Sequence, residues 1–139
     1  MSCWAENYVG RPAATTLADN CLGTVRRIKR QVFRQPFPGQ LSFVRHVLAL
    51  GLPLENRRVL DELAFDGCRL RRVKRLRDGT VIVCGTPSNP MKHVGVYCAQ
   101  ADRMIHAVTD IPEPVVQAVP VWRLKHEWQM VDYLEVVPA

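Results

Sequence analysis

The chain has 139 residues, 47% of them hydrophobic and 23% charged, with a formal net charge of +6. This length suits one compact core rather than two, and this balance excludes a disordered or low-complexity chain. No apolar run approaches the roughly 18 residues that span a bilayer, so residues 1–139 are read as a single domain with no membrane insertion.

The first twelve residues, MSCWAENYVGRP, lack the basic and apolar regions of a secretory signal. The chain is therefore expected to be made in the cytoplasm. Its five cysteines, Cys3, Cys21, Cys68, Cys84 and Cys98, contain no CxxC pair, and their odd number leaves at least one unpaired. Neither a structural metal site nor a cofactor is expected, and most of these thiols read as small buried hydrophobes.

Taken along the chain, Leu22, Val25, Ile28 and Val32 recur at helical spacing. They predict an amphipathic helix from Cys21 to Phe33 whose other face is arginine and lysine. Asp19 or Asn20 is its N-cap, which puts Cys21 in the first turn. Gln35 to Gln40 carries two prolines and a glycine, a break. LSFVRHVLAL then predicts a second helix ending at Gly51, and LENRRVLDELAFDG a third, with Leu54, Val59, Leu60 and Leu63 facing inward.

After Gly67 the pattern becomes β-branched. LRRVKRL, TVIVC, HVGVYC and MIHAV read as short strands of an antiparallel meander, with turn-forming residues such as RDGT between them. Pro112, Pro114 and Pro120 mark a looser crossing, followed by a short helix in VWRLKHEW and a closing strand in QMVDYLEVV. Helices first and sheet second give an α+β fold.

Two basic clusters, Val25 to Arg34 and Arg69 to Arg77, concentrate the positive charge. A solvated helix face and strand edge is the plain reading. Nucleic acid ranks behind it as a partner, and an acidic protein or cell-wall partner stays open.

A thiol in the first turn of a helix feels the positive end of the backbone dipole, so a lowered pKa is expected for Cys21. A nucleophilic thiol also needs a base. His93 and His106 lie on neighbouring predicted strands, where one ring can serve Cys21 and the other can hold the first in orientation. His46 and His126 have no such partners and read as structural or surface residues.

The helix start NC-x-G-x-V, then DG-x-V-x-V, HVGVY and MIHA, resembles the NlpC-like cysteine peptidases, papain-like enzymes that cut peptidoglycan stem peptides. YVGRP and the basic helix GTVRRIKRQVF are similar to the variant found in tails of long-tailed phages, and the likeness spans essentially the whole chain. It implies Cys21 as nucleophile, His93 as base and His106 as the orienting residue. Asn20 replaces the usual aspartate before the nucleophile, and the backbone N–H of Cys21 becomes an oxyanion donor. The implied substrate is a stem peptide cut after a γ-linked D-glutamate, and the implied partners are other tail or tail-tip proteins, with action at the cell wall. Ala13 stands where many such enzymes place a tyrosine that reaches the catalytic centre, leaving Tyr8 or a backbone group to replace it. A tail-tip module that keeps the fold without activity and an effector or acyltransferase with the same constellation are the other expectations.

Overall fold

The computed structural model describes residues 3–16, 20–50 and 64–139, with only the backbone at 49, 50 and 90. Leu54, Val59, Leu60 and Leu63, assigned to the third predicted helix, lie outside the described residues. The last three residues of that stretch, Phe65 to Gly67, form a tight turn with Cys68 rather than helix. Phe65 and Cys68 exchange two backbone hydrogen bonds of 2.8 Å across Asp66 and Gly67, which have φ of 48° and 73°. Positive φ at both central positions suits a two-residue hairpin turn.

A 3₁₀ turn at Trp4–Asn7 precedes α1 (Cys21–Phe33) and α2 (Gln40–Leu50), and a third helix, α3, spans Val121–Glu127. The strands are β1 (Cys68–Val73), β2 (Val81–Thr86), β3 (Asn89–Cys98), β4 (Arg103–Val108), β5 (Val115–Pro120) and β6 (Met130–Pro138). They form one antiparallel sheet in the order β1-β6-β2-β3-β4-β5. The chain is thus α+β, with N-terminal helices packed on a six-stranded antiparallel sheet.

Both faces of this sheet are covered. Val25 and Ile28 of α1 pack with Val83, Val94, Val96, Ile105 and Leu134 on one side. Leu124 of α3 packs with Ile82, Cys84, Tyr97 and Met104 on the other. Burial on two sides explains why β2 reads as a continuous apolar run instead of an alternating one.

Three sequence expectations need correction. The strands are a meander only from β2 to β5, because β6 enters between β1 and β2. The proline-marked crossing contains β5, whose Val115, Val116 and Val119 pair with β4 at the sheet edge, where Pro120 closes the strand without breaking an inner ladder. The polar face expected for α1 also fails at Lys29, which is 3% exposed and donates to the Gly79 carbonyl at 2.7 Å.

The basic edge strand β1 is partly neutralised by its neighbour. Arg71 lies opposite Glu135 in register and 3.8 Å from its carboxylate, Arg72 is 3.5 Å from Asp132, and Arg77 forks onto Glu135 at 2.9 and 3.0 Å. No helix among the described residues is long and apolar enough to cross a membrane.

Candidate active site

Local sequence fixes the start of α1. Asn20 is extended, with φ −70° and ψ −177°, and its side chain accepts from the Gly23 N–H at 2.7 Å while its carbonyl accepts from Thr24 at 2.9 Å. The cap is therefore Asn20, and Asp19 lies outside the described residues. Capping at Gly23 and Thr24 leaves the amides of Cys21 and Leu22 without intrahelical partners, as the first turn of any helix must. Both N–H groups bear on the Cys21 sulfur, and so does that of Val94.

An amide inside a sheet reaches a thiol only where the ladder is open. β3 and β4 pair from Val96 opposite Ile105 to Cys98 opposite Arg103, although β3 runs back to Asn89 and β4 on to Val108. The strands part at Gly95. A Cβ there would sit 2.5 Å from Met104 Cγ and 2.8 Å from the Ile105 carbonyl oxygen, so only glycine fits the parting. Alternation puts Val94 and Val96 on the α1 face of β3, and His93 and Tyr97 on the α3 face. On β4, His106 alternates with Ile105 and shares the face of Met104. The thiol and the imidazoles thus belong to opposite layers and face one cavity across the gap.

That cavity holds about 400 Å³ and is lined by Cys21, His93 and His106 together with Lys92, Asp110 and Trp128, among others. The three residues selected from sequence therefore share one site. His93 Nε2 and His106 Nδ1 are hydrogen-bonded, and the two rings meet edge to face with centroids 4.6 Å apart. Trp128 lies parallel to the His93 ring, with centroids 6.3 Å apart and planes 7° from coplanar. Lys92 Nζ stands 5.9 Å from the same indole.

One proton is shared between Nε2 of His93 and Nδ1 of His106. Where His93 donates it, the Nδ1 lone pair of His93 is free to accept a proton; where His106 donates it, Nδ1 of a neutral His93 carries its own proton instead.

The electrostatics differ from expectation. Burial pushes the Cys21 thiol above its ordinary range, against the pull of the Val94, Leu22 and Cys21 amides, so the lowered pKa expected from the helix start is corrected. The histidines do not offset it. Burial lowers His93, only partly opposed by the Asp110 carboxylate. Burial and the neighbouring His93 drive His106 down to about 3. Two neutral imidazoles supply no positive charge to hold a thiolate, and desolvation of the sulfur prevails.

Comparison of the chain with family models, curated proteins and solved structures finds no match.

Tyr8 does not serve the site. Its hydroxyl donates to Gln31 Oε1 at 2.7 Å, ten residues along α1 from Cys21, or about 15 Å at helical rise. His46 is fully buried, with Nδ1 2.8 Å from the Ser42 carbonyl and its ring edge-on to Phe65, and His126 is exposed against Trp122. Both lie outside the cavity, in keeping with their structural reading. Among the described residues no group of three or more His, Cys, Asp or Glu side chains is placed to hold a metal ion.

Sequence reasoning missed Trp128, Asp110 and Lys92. Lys92 precedes His93 and could have been suspected from that adjacency. Trp128 read only as the end of a short helix, and Asp110 as part of a proline-marked crossing, and nothing local ties either to His93.

Proposed function

We propose that this protein is a thiol peptidase of the NlpC-like, papain-like kind, carried in a phage or prophage tail, that hydrolyses peptidoglycan stem peptides. One observation carries the reading: a thiol at a capped helix start shares a cavity with a hydrogen-bonded histidine pair. The sequence likeness in NCLG, HVGVY and MIHA supplies the substrate class.

In this mechanism His93 Nδ1 takes the Cys21 proton as the sulfur attacks the peptide carbonyl. The neutral thiol makes this general-base attack rather than reaction of a preformed ion pair. The free amide of Cys21 meets the developing oxyanion, with the Leu22 amide beside it. His93 returns the proton to the leaving amine, then activates the water that releases the acyl group from Cys21. His106 holds the His93 ring through its Nδ1, and Trp128 supports the ring face. The exposed basic stretch from Arg69 to Arg77, only partly neutralised by Glu135 and Asp132, suits docking to an acidic neighbour in the tail.

The raised thiol pKa and the engagement of Tyr8 with Gln31 favour a second reading, a tail-tip assembly protein that keeps the fold without turnover. Incubation of the protein and of Cys21→Ala with defined muropeptides, followed by mass spectrometry, separates the two. The peptidase cleaves and its variant does not. Two folded, inactive proteins across pH 6 to 9 would support the assembly role.

A further inference from the structure

All five cysteines are free thiols, and the packing brings two of them together. Cys3 opens the 3₁₀ turn and is half-buried against the α1-face core, to which Cys98 at the end of β3 belongs. One carboxylate ties the two neighbourhoods. Asp78 Oδ1 accepts from the Trp4 indole at 3.1 Å and from the Ala99 amide at 2.9 Å, so the residues following Cys3 and Cys98 share an anchor. Cys3 is also among the groups that act directly on the Cys98 thiol and raise its pKa.

We propose that Cys3 and Cys98 form a disulfide by exchange with a small-molecule disulfide such as oxidised glutathione. The partly exposed Cys3, as thiolate, attacks one sulfur of the small disulfide and releases one small thiolate. Cys98 loses its proton to solvent and attacks the Cys3 sulfur of the mixed disulfide. The Cys3–Cys98 bond forms, a second small thiolate leaves, and each leaving thiolate takes up a proton. Two protein thiols are oxidised and one small disulfide is reduced to two thiols.

The second step is the slow one. Burial, Cys3 and the Asp78 carboxylate push Cys98 up to about 11, opposed by the Ala101 amide, and the Tyr97 hydroxyl is its other titrating neighbour. Closure of the mixed disulfide therefore accelerates about tenfold per pH unit below that value. Cys84 is held at about 12 and buried, which makes it inert to this chemistry. The bridge ties the N-terminal turn to β3 across roughly 100 residues of chain, a span for which restriction of the unfolded state is large.

The test treats the full chain with oxidised glutathione at pH 7 and pH 9, followed by intact mass, peptide mapping and thermal melting. The expected result is a glutathione adduct on Cys3 at pH 7. At pH 9 it resolves into a Cys3–Cys98 cross-link with loss of two hydrogens, and Tm rises by roughly 10 °C. Cys3→Ser abolishes the cross-link without disturbing the core, whereas Cys98→Ser retains the Cys3 adduct at pH 9. A folded protein that stays unlinked at pH 9, or that links Cys21 or Cys68 instead, overturns the proposal. Because Cys21 takes no part, the result is independent of the peptidase reading.

Discussion

Replacing Lys29 by Met should change how stability depends on pH more than any surface substitution. Lys29 Nζ donates to the Gly79 carbonyl at 2.7 Å and lies 4.8 Å from the centre of the Phe33 ring. Burial lowers its amine from 10.5 to about 8, against the opposing pull of the Glu135 and Asp78 carboxylates. Below pH 8 the amine is charged in both the folded and unfolded chain, and the cost of burying that charge is carried in full. Between about 8 and 10.5 the folded chain has released the proton while the unfolded chain still binds it, so stability rises with pH through this window. At about 1.4 kcal/mol per pH unit, the gap corresponds to about 3 kcal/mol. The raised groups Tyr8, Cys21, Tyr97, Cys84 and Cys98 act in the opposite direction, because they stay protonated in the folded chain above the pH at which they ionise in the unfolded one. Urea unfolding of wild type and Lys29→Met, followed by tryptophan fluorescence from pH 7 to 10.5, cancels those shared terms. The wild type should gain about 3 kcal/mol on the variant across the range. Parallel curves would refute the assignment of a buried, proton-releasing amine.

The other expected outcomes concern the site and the strand parting. Cys21, mapped by peptide mass spectrometry, should react with iodoacetamide more slowly at pH 7 than free glutathione and catch up only at alkaline pH; faster reaction at pH 7 would mean that an imidazolium does face the sulfur. His106→Ala removes the acceptor for His93 Nε2–H and should lower muropeptide kcat by about 10²- to 10⁴-fold with little change in KM. Asn at position 106, which offers an oxygen acceptor, should recover part of that loss, and unchanged turnover in the Ala variant would remove His106 from the mechanism. Gly95→Ala should cost about 2–3 kcal/mol in urea unfolding, because its Cβ meets the Ile105 carbonyl oxygen as well as the movable Met104 side chain. Adding Met104→Ala should relieve only part of that loss, and full rescue would contradict the backbone clash.

Local signals were sufficient where an element could be read from its own residues. The 3.6-residue spacing of Leu22, Val25 and Ile28 and the polar Asn20 marked α1 and its cap, which the structure reproduces from Cys21 to Phe33. The turn at Asp78 and Gly79 and the alternation of Val94 and Val96 around Gly95 marked β2 and β3. β3 nevertheless begins at Asn89, well before His93, where it pairs with Thr86 beyond a register shift between Cys84 and Thr86. Valines framed by prolines gave no strand signal for β5, because edge pairing with β4 is a property of the partner strand.

The sequence by itself determined the helix-then-sheet order, the capped cysteine and the choice of His93 and His106, since each follows from spacing within a few residues. Only the tertiary structure decided that β6 enters between β1 and β2, that Lys29 is buried, and that Trp128 and Asp110 attend His93. It also decided the protonation of the site. Dipole and neighbour arguments favour a thiolate at Cys21, but desolvation depends on everything packed around the sulfur, and no local stretch of chain records that sum.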